Sequence, residues 1–255
     1  MTVDATYPDL EGRNVFVSGG GSGIGAAIVS HFAVQGARVG FVDIAEEPSR
    51  ALAEEVARAG HPRPHFVKCD LRNIEALRAA ITEIRGALGP ITVLVNNAAH
   101  DERHDIDDVT PDYWDDRMAV NLRHQFFTAQ AIYSDMEAAG GGAIINLGSI
   151  SWMLGVPDMP AYTTAKAAIG GLTRSLARRL GPMNIRVNTV LPGWIMTQRQ
   201  IDLWLDEAGD AMRAEGQCLP RKLYPADVAR VVLFLSSEQA SACTNQEFIV
   251  DGGWV

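Results

Sequence analysis

The sequence predicts an α/β domain built on a doubly wound parallel sheet with helices on both faces. Short apolar runs rich in β-branched residues alternate with longer segments whose apolar residues recur at helical spacing. Several short runs are apolar at consecutive positions, as in strands that helices cover on both sides. Strand–helix alternation with short links indicates right-handed βαβ units and therefore parallel strands. A length of 255 residues suits one domain, residues 1–255, better than two.

The predicted strands follow one another along the whole chain. They are Asn14–Ser18, Arg38–Val42, His65–Lys68, Ile91–Val95, Ala143–Leu147, Ile185–Val190 and Glu247–Val250. Helices are predicted between them, as where Ile24, Ile28 and Phe32 recur at helical spacing. Segments 148–160 and 192–220 are too long for simple links. Because open α/β sheets bind ligands at the carboxyl ends of strands, both are predicted to shape the site; surface decoration is the alternative.

Composition argues against several classes of partner. The formal net charge is −9, whereas nucleic-acid and anionic-membrane surfaces need an excess of basic charge. Cys69, Cys218 and Cys243 show neither metal-ligand spacing nor a disulfide framework, so no metal site is predicted and a reducing compartment fits best. Residues 1–12 carry no apolar leader, and no stretch approaches the ~20 apolar residues of a membrane span. A cytoplasmic protein is therefore expected.

A glycine-rich turn follows the first predicted strand and opens the first predicted helix. Residues 18–25 read Ser-Gly-Gly-Gly-Ser-Gly-Ile-Gly. Glycines let the backbone approach a pyrophosphate, and the helix N-terminus supplies free N–H groups. The strand–turn–helix context favours a dinucleotide site over a turn that binds nothing. Cofactor contacts are predicted at Gly19, Gly21, Ser22, Gly23, Ile24 and Gly25.

One carboxylate is predicted to select the cofactor. Asp43 ends the second strand, where a carboxylate accepts hydrogen bonds from both adenosine ribose hydroxyls and repels a 2′-phosphate. No Lys or Arg lies among residues 19–25, and Glu46 and Glu47 follow Asp43. The sequence therefore favours NAD over NADP. The alternative for Asp43 is a helix cap at a strand end.

Polar residues also follow the next two strands. Asp70 and Leu71 come after the third strand, where the adenine edge is expected, and Asn97 and Ala98 come after the fourth, beside the expected nicotinamide ribose. Each pair alone is compatible with ordinary turn chemistry. Their position at successive strand ends predicts cofactor contacts.

Four polar side chains predict the chemistry. Tyr162 and Lys166 lie four apart in a predicted helix from Pro160 to Leu180, so they share one face. Free tyrosine titrates near ~10, and a neighbouring ammonium is expected to lower that pKa. Ser149 is expected to bond the reacting oxygen, and Asn121 to hold a relay water through its amide. Tyr-x-x-x-Lys alone is usually a solvated face; with Ser149 and the glycine turn it indicates catalysis.

The combination of these motifs, with Pro192-Gly193, resembles the short-chain dehydrogenases/reductases over essentially the whole chain. The resemblance implies a seven-stranded Rossmann sheet, an Asn–Ser–Tyr–Lys tetrad and a homotetramer. It places the dinucleotide mainly in residues 13–115, and catalysis and substrate in residues 116–255 with a substrate segment near 192–220. It also implies cofactor contacts at Tyr162, Lys166, Pro192, Gly193, Ile195 and Thr197.

Two residues depart from the family's usual pattern. Ser18 stands where Thr is usual, and Ala99 stands where a Gly is usual. Ser keeps the hydroxyl and Ala adds only a methyl group, so neither change is expected to threaten activity.

Five strings carry a closer resemblance, to the bacterial aldose 1-dehydrogenases of the D-xylose, D-galactose and L-arabinose type. They are Tyr7–Leu10, Asn121–His124, Gly148–Trp152, Gln217–Leu219 and Asp251–Trp254. This resemblance implies NAD-dependent oxidation of a monosaccharide at C1 to an aldonolactone. Substrate contacts are expected from Ser149, Tyr162, His100, Ser151, Trp152, Trp194 and Arg199.

Other readings of these residues stay open. A flat aromatic face suits the C–H face of a pyranose, but a core or interface position is the alternative for each tryptophan. Arg103 and His104 are expected to face solvent, Trp204 to form a lid or subunit contact, and residues 252–255 to suit burial between subunits. The substrate alternatives are a polyol, a 3-hydroxy acid or a 3-oxoacyl thioester. A non-catalytic NAD-binding protein is the alternative of another class.

Overall fold

Seven parallel strands form one sheet at the centre of the protein. The computed structural model describes residues 5–255. Residues 1–4 belong to the predicted domain range 1–255 and to the segment predicted to carry no apolar leader, and they lie outside the described residues. The strands are β1 (Asn14–Ser18), β2 (Arg38–Asp43), β3 (His65–Lys68), β4 (Val93–Asn96), β5 (Gly142–Leu147), β6 (Ile185–Pro192) and β7 (Glu247–Val250). The sheet has the order β3-β2-β1-β4-β5-β6-β7, and every pairing is parallel. The predicted fold class is confirmed.

Helices connect the strands and cover both faces of the sheet. They are α1 (Gly23–Val34), α2 (Glu46–Arg58), α3 (Ile74–Leu88), α4 (Pro111–Met118), α5 (His124–Ala138), α6 (Ser151–Leu154), α7 (Pro160–Leu180), α8 (Gln198–Trp204), α9 (Glu207–Gly216) and α10 (Pro225–Ser236). A π-helix, Ala119–Arg123, joins α4 to α5. The helix predicted from Pro160 to Leu180 is confirmed as α7. Within residues 5–255, none of the helices is long and apolar enough to cross a membrane.

Two layers of apolar side chains lie on opposite faces of the sheet. Val15 and Val17 of β1 pack on one face with residues of α1 and α10. Phe16, between them, packs on the other face with residues of α3 and α5. All three side chains are fully buried, and burying a side chain of this size contributes about 1.5–3 kcal/mol. The consecutive apolar run therefore holds β1 between the two layers.

Several strand ends differ from the prediction by one or two residues. β4 begins at Val93 rather than Ile91. Ile91 is buried, but its N–H donates to Asp135 Oδ2 (3.1 Å) and not to a neighbouring strand. β6 extends to Pro192, which pairs with Val250 at the end of the ladder; a strand end tolerates the missing N–H of proline. Apolar patterning thus locates buried segments better than it locates the ends of hydrogen-bonded ladders.

The order of the strands fixes where a ligand can bind. β1 pairs with β2 on one side and with β4 on the other, so the connections run in opposite directions from β1. Such a switch point leaves a crevice outside the carboxyl ends of the strands. A cleft of about 1240 Å³ opens at this edge of the sheet.

Candidate active site

The turn between β1 and α1 brings the backbone to the cleft at positions where no side chain fits. Gly19 has φ +66°, and a Cβ there would lie 2.7 Å from the Cα of Ala98. A Cβ on Gly25 would lie 1.9 Å from the carbonyl oxygen of Gly19. Ser22, the N-cap of α1, makes no capping hydrogen bond through its side chain. The first N–H groups of α1 are thus left for a ligand, and this arrangement fits a pyrophosphate.

Five of the six predicted turn residues line the cleft. They are Gly19, Ser22, Gly23, Ile24 and Gly25. Gly21 does not line it, so its predicted direct contact is not supported. Its N–H instead donates to Asp43 Oδ2 (2.9 Å), and a Cβ on Gly21 would lie 2.3 Å from Ser49 Oγ. Gly21 therefore serves the site by orienting Asp43.

Asp43 lies at the end of β2 and lines the cleft. Its Oδ1 accepts a hydrogen bond from the N–H of Ala45 (2.9 Å), and its Oδ2 accepts the one from Gly21. The bond to Ala45 is a turn contact and not the helix cap that was the alternative for Asp43, because the N-cap of α2 is Ala45 and has no side-chain cap. Because each carboxylate oxygen accepts more than one donor, both oxygens keep capacity for ribose hydroxyls.

The basic side chains around this end of the cleft are paired with carboxylates. Arg50 and Lys68 both bind Glu46, at 2.9 and 3.1 Å. Arg72 binds Asp70 (2.7 Å) and also Asp116. Hydrogen bonding to Arg72 lowers the pKa of Asp70. Asp70 and the buried Leu71 both line the cleft, as predicted for the adenine edge.

Asn97 and Ser18 join the ends of β4 and β1. The Asn97 side-chain amide donates to the carbonyl oxygens of Ser18 (3.1 Å) and Gly19 (2.8 Å). The buried Ser18 hydroxyl accepts from the N–H groups of Asn97 (3.0 Å) and Ala98 (3.1 Å). Ser18 thus uses the hydroxyl that it shares with the family's usual Thr. Asn97 and Ala98 line the cleft, and so does Ala99, whose side chain is exposed.

Tyr162, Lys166 and Ser149 meet at the wall of the cleft. Lys166 Nζ lies 5.6 Å from the centroid of the Tyr162 ring and donates to the carbonyl oxygen of Leu147 (2.8 Å). Ser149 follows β5; its hydroxyl bonds the Tyr162 side chain and accepts from the N–H of Ser151 (3.1 Å). Spacing of four residues on α7 therefore does bring the tyrosine and the lysine together.

The pKa shifts at this site differ from the predicted direction. Burial raises the pKa of Tyr162, with a further rise from the charge of Asp101 and an opposing effect of the Ser149 hydrogen bond. Burial lowers the pKa of Lys166 to about 7. The predicted lowering of the tyrosine pKa is wrong for this structure, because desolvation disfavours both charged forms. An amine that titrates near 7 can, however, exchange a proton at neutral pH.

Asn121 lies in the π-helix and is fully buried. Its Oδ1 accepts from the N–H of His100 (2.8 Å), and its Nδ2 donates to the carbonyl oxygens of Arg117 (3.0 Å) and His100 (3.2 Å). Both amide hydrogens are therefore engaged by the backbone. The geometry supports a role in fixing the loop after β4, rather than the predicted role of holding a water through the amide.

The loop after β4 forms one wall of the substrate end of the cleft. Arg117 donates to His100 Nδ1 (2.8 Å), and burial lowers the pKa of His100. Arg103 binds Asp158 (3.0 Å), and its guanidinium carbon lies 3.7 Å from the ring centroid of Trp204. Arg103 is exposed, as predicted, and it also lines the cleft. His104 is less exposed than predicted: its Nε2 is buried, and its Nδ1 contacts the Tyr113 hydroxyl (2.9 Å).

Most of the predicted substrate residues line this end. They are His100, Ser149, Ser151, Tyr162, Trp194 and Arg199. Ser151 is buried, and its hydroxyl makes no hydrogen bond within the described residues. A substrate hydroxyl is a suitable partner for it. Arg199 binds Asp101 (3.1 Å), and the indole N–H of Trp194 donates to Gln200 Oε1 (2.8 Å).

Trp152 does not line the cleft, so the structure does not support its predicted contact. It lies on the single turn of α6 with its side chain exposed. A different tryptophan is present instead: Trp254 lines the cleft and packs against Trp194, with ring centroids 6.5 Å apart. The tryptophan near the C-terminus thus contacts its own chain and adds an aromatic face to the cleft.

The residues that follow β6 form the wall opposite the glycine turn. Pro192, Gly193, Ile195 and Thr197 all line the cleft. A Cβ on Gly193 would lie 2.6 Å from Cβ of Asp251, and a Cβ on Gly23 would lie 3.1 Å from Cγ2 of Thr197. The short distance between Gly23 and Thr197 places Thr197 directly across from the N-terminus of α1, in keeping with the predicted nicotinamide contact.

Sequence reasoning missed a buried polar chain behind Lys166. Asn96 Nδ2 donates to Asn146 Oδ1 (2.9 Å), and Asn146 Nδ2 donates to Thr173 (2.9 Å), which is bonded to Thr189 (2.8 Å). This chain could have been predicted from the polar residues Asn96 and Asn146, which lie within otherwise apolar strands. Glu215, which also lines the cleft, had no such signal, whereas Asp101, which lines it too, is among the residues predicted from sequence as candidates for hydroxyl recognition. Within residues 5–255 no group of three His, Cys, Asp or Glu side chains is arranged to hold a metal ion.

Comparisons with known proteins agree with this geometry. A family model described as enoyl-(acyl carrier protein) reductase matches residues 19–255. The chain is 54% identical to a probable galactose dehydrogenase of Rhizobium meliloti over 99% of each chain. It is 51% identical to the D-xylose 1-dehydrogenase of Caulobacter vibrioides over 98% of each. The crystal structure of a 3-oxoacyl-[acyl-carrier protein] reductase from Brucella melitensis superimposes with a TM-score of 0.90 at 32% identity, covering 99% of this chain and 97% of that one.

Proposed function

The chain belongs to the short-chain dehydrogenase/reductase family, and on that premise we propose that it is an NAD-dependent sugar 1-dehydrogenase. It oxidises a monosaccharide at the anomeric carbon to an aldonolactone. Whole-chain identity of 51–54% to sugar dehydrogenases supports the substrate class. The observation that carries the proposal is the meeting of Tyr162, Ser149 and Lys166 in a cleft whose other end is lined by the glycine turn.

The nucleotide end fits NAD better than NADP. Asp43 faces the position expected for the adenosine ribose, and the basic side chains nearby are already bound by Glu46, Asp70 and Asp116. A 2′-phosphate would meet a carboxylate there, with the nearby cations of the described chain already paired. Bound NAD supplies the acceptor for the hydride.

Because burial raises the pKa of Tyr162, its own proton must first be transferred towards Lys166, whose pKa is about 7. The resulting phenolate takes the proton of the substrate's C1 hydroxyl while the C1 hydride leaves, which gives the lactone carbonyl. Ser149 bonds the reacting oxygen and holds the tyrosine. Lys166, with its pKa near 7, binds the ribose hydroxyls and passes the proton onward. Asn121 positions the His100 loop, and residues 192–197 hold the nicotinamide side. Residues 13–115 thus serve mainly the dinucleotide, and residues 116–255 serve catalysis and substrate.

The test is NADH formation by the purified protein over aldopentoses, aldohexoses and their epimers, with polyols, 3-hydroxy acids and a hydroxyacyl thioester alongside, each with NAD and with NADP. We expect the highest kcat/KM with an aldose and NAD. A higher value with any of the other alcohols would replace the substrate assignment. Nucleotide binding with no turnover of any alcohol would instead indicate a non-catalytic NAD-binding protein.

We further propose a homotetramer in the cytoplasm, with a small neutral sugar as its partner and no nucleic acid. The tetramer and the location rest on the family resemblance. Light scattering on the purified full chain measures the first, and a mass of four chains is the expected result.

A further inference from the structure

The carboxylates of the cleft differ in how they are paired. Asp43, Asp70, Asp101 and Asp158 each bind backbone N–H groups or an arginine. Glu215 of α9 also lines the cleft, but within residues 5–255 it makes no hydrogen bond or ion pair, and its side chain is exposed. It is therefore the lining carboxylate that is free to accept hydrogen bonds from a ligand.

The arginines of the substrate end are not free in the same way. Each one is paired with a carboxylate: Arg103 with Asp158 (3.0 Å), Arg117 with Glu102 (2.7 Å) and Arg199 with Asp101 (3.1 Å). Lys166 is bonded to a backbone carbonyl. The described part of this end thus offers an anionic substrate no unpaired arginine, and it presents one unpaired negative charge.

An aromatic wall stands beside Glu215. Trp194 and Trp254 pack together, and the backbone of Gly216 lies directly against Trp254, since a Cβ on Gly216 would lie 2.4 Å from that ring. Arg213 of the same helix is buried, and Asp210 ties the helix to the segment that follows it by binding Lys222 (3.3 Å). The carboxylate is therefore carried on a fixed helix next to two indole rings.

We propose that Glu215 is a specificity-determining residue, which with Trp194 and Trp254 binds the sugar hydroxyls remote from C1 and disfavours anionic sugars. This inference rests on the proposed function and assigns a subsite within it. Two carboxylate oxygens can accept from two neighbouring hydroxyls, while an indole face covers the sugar C–H groups. A uronate or sugar phosphate would bring a second negative charge close to Glu215.

The experiment measures KM and kcat of wild type and Glu215→Gln with D-galactose and D-xylose as neutral probes and D-galacturonate as the anionic probe. Because Glu215 is exposed and glutamine keeps one acceptor oxygen, we expect KM for the preferred neutral sugar to rise roughly three- to tenfold, the range of an ordinary net hydrogen bond, with kcat within about twofold. We also expect the preference for galactose over galacturonate to fall by about the same factor. Quenching of indole fluorescence by the sugars measures binding separately from turnover.

Two variants serve as controls. Glu207→Gln removes a carboxylate from the first turn of the same helix, outside the cleft, and should change neither KM nor the galacturonate preference. Glu215→Asp keeps the charge but withdraws it by one methylene, so it should raise KM and keep the rejection of galacturonate.

The outcomes separate the two claims. A wild-type protein that oxidises no sugar would overturn the proposed function. A wild-type protein that oxidises sugars, with Glu215→Gln unchanged in both KM and galacturonate preference, would overturn only the role of Glu215. A thermal midpoint within a few degrees of wild type shows that the variant is folded, so either result decides.

Discussion

At the nucleotide end of the cleft, Asp43 and the glycine turn are held by hydrogen bonds between side chains and backbone, whereas the arginines of the substrate end are held by contacts between side chains. Asp43 binds the N–H groups of Gly21 and Ala45, and Asn97 binds backbone carbonyls of the glycine turn. At the other end Arg103 binds Asp158, and Arg199 binds Asp101. One end therefore needs few particular side chains, while the other depends on matched pairs.

This difference tells us where specificity can change. A backbone N–H or carbonyl is present whatever residue occupies the position, so the contact of Asp43 with Ala45 does not depend on the side chain at position 45, although the glycines of the turn admit no side chain. A side-chain pair changes whenever either partner changes, and the substrate end can therefore be altered without loss of the nucleotide site. The following predictions test that separation, from the largest effect to the smallest.

Tyr162→Phe should separate chemistry from both binding ends. Removing the hydroxyl that takes the proton should lower kcat by about 10³-fold, within the range for positioned acid–base groups. Affinity for NADH, measured by fluorescence titration, should stay within about threefold, because the glycine turn and Asp43 are untouched. Turnover close to that of wild type would remove Tyr162 from its assigned role.

Asp43→Asn should break the nucleotide end alone. Loss of the charge that faces the ribose should lower kcat/KM for NAD by about ten- to a hundredfold and narrow the preference over NADP, as expected for a lost charged hydrogen bond. KM for the sugar should not move. Glu47→Gln, a nearby exposed carboxylate that does not line the cleft, is the matched control. An unchanged preference would show that Asp43 does not select the cofactor.

Lys166→Met tests how far the buried amine of Lys166 lowers the stability of the folded protein. The pKa of Lys166 falls from an ordinary value of 10.5 to about 7 in the folded protein, so between these values the unfolded chain binds more protons. The contribution of this group to wild-type stability therefore rises with pH from about 7 upward. The Lys166→Met variant should be inactive. Its free energy of unfolding should exceed that of wild type by about 1–3 kcal/mol at pH 6 and by a smaller amount at pH 9. Urea unfolding at both pH values measures this; an equal gain at the two would contradict the shifted pKa.

Arg103→Met should break the substrate end alone. It frees Asp158 and removes the cation that stacks on Trp204. We expect KM for the sugar to rise about three- to tenfold, since a partly exposed pair and a cation–π contact each contribute on the order of 1 kcal/mol. KM for NAD should stay within about twofold. An equal rise in both KM values would mean that the two ends are not separable.

The features that sequence reasoning found are those whose signal is local. The glycine turn, Asp43 at a strand end and the Tyr162–Lys166 pair depend on neighbours within one turn or one helix. The partners of Arg103 and Asp101 and the place of Glu215 in the cleft could not be predicted, because they depend on residues far along the chain; Asp101 and Arg199 are 98 residues apart.

Two further errors have the same physical origin. The position of Trp152 after β5 predicts that it lies in the site. Side chains on a single helical turn point in different directions, however, and no local sequence signal shows which of them faces the cleft. The direction of the Tyr162 pKa shift depends on desolvation, which is set by packing around α7 rather than by the lysine spacing.

The central claim is that the hydride leaves C1 of an aldose. It is tested most directly by oxidation of D-[1-²H]galactose and D-[1-²H]xylose with NAD, followed by mass spectrometry of the reduced cofactor and of the sugar product. We expect the deuterium to be recovered in NADH and the product to be an aldonolactone without the label. Unlabelled NADH, with deuterium retained in the oxidised sugar, would show oxidation at another carbon and would contradict the claim.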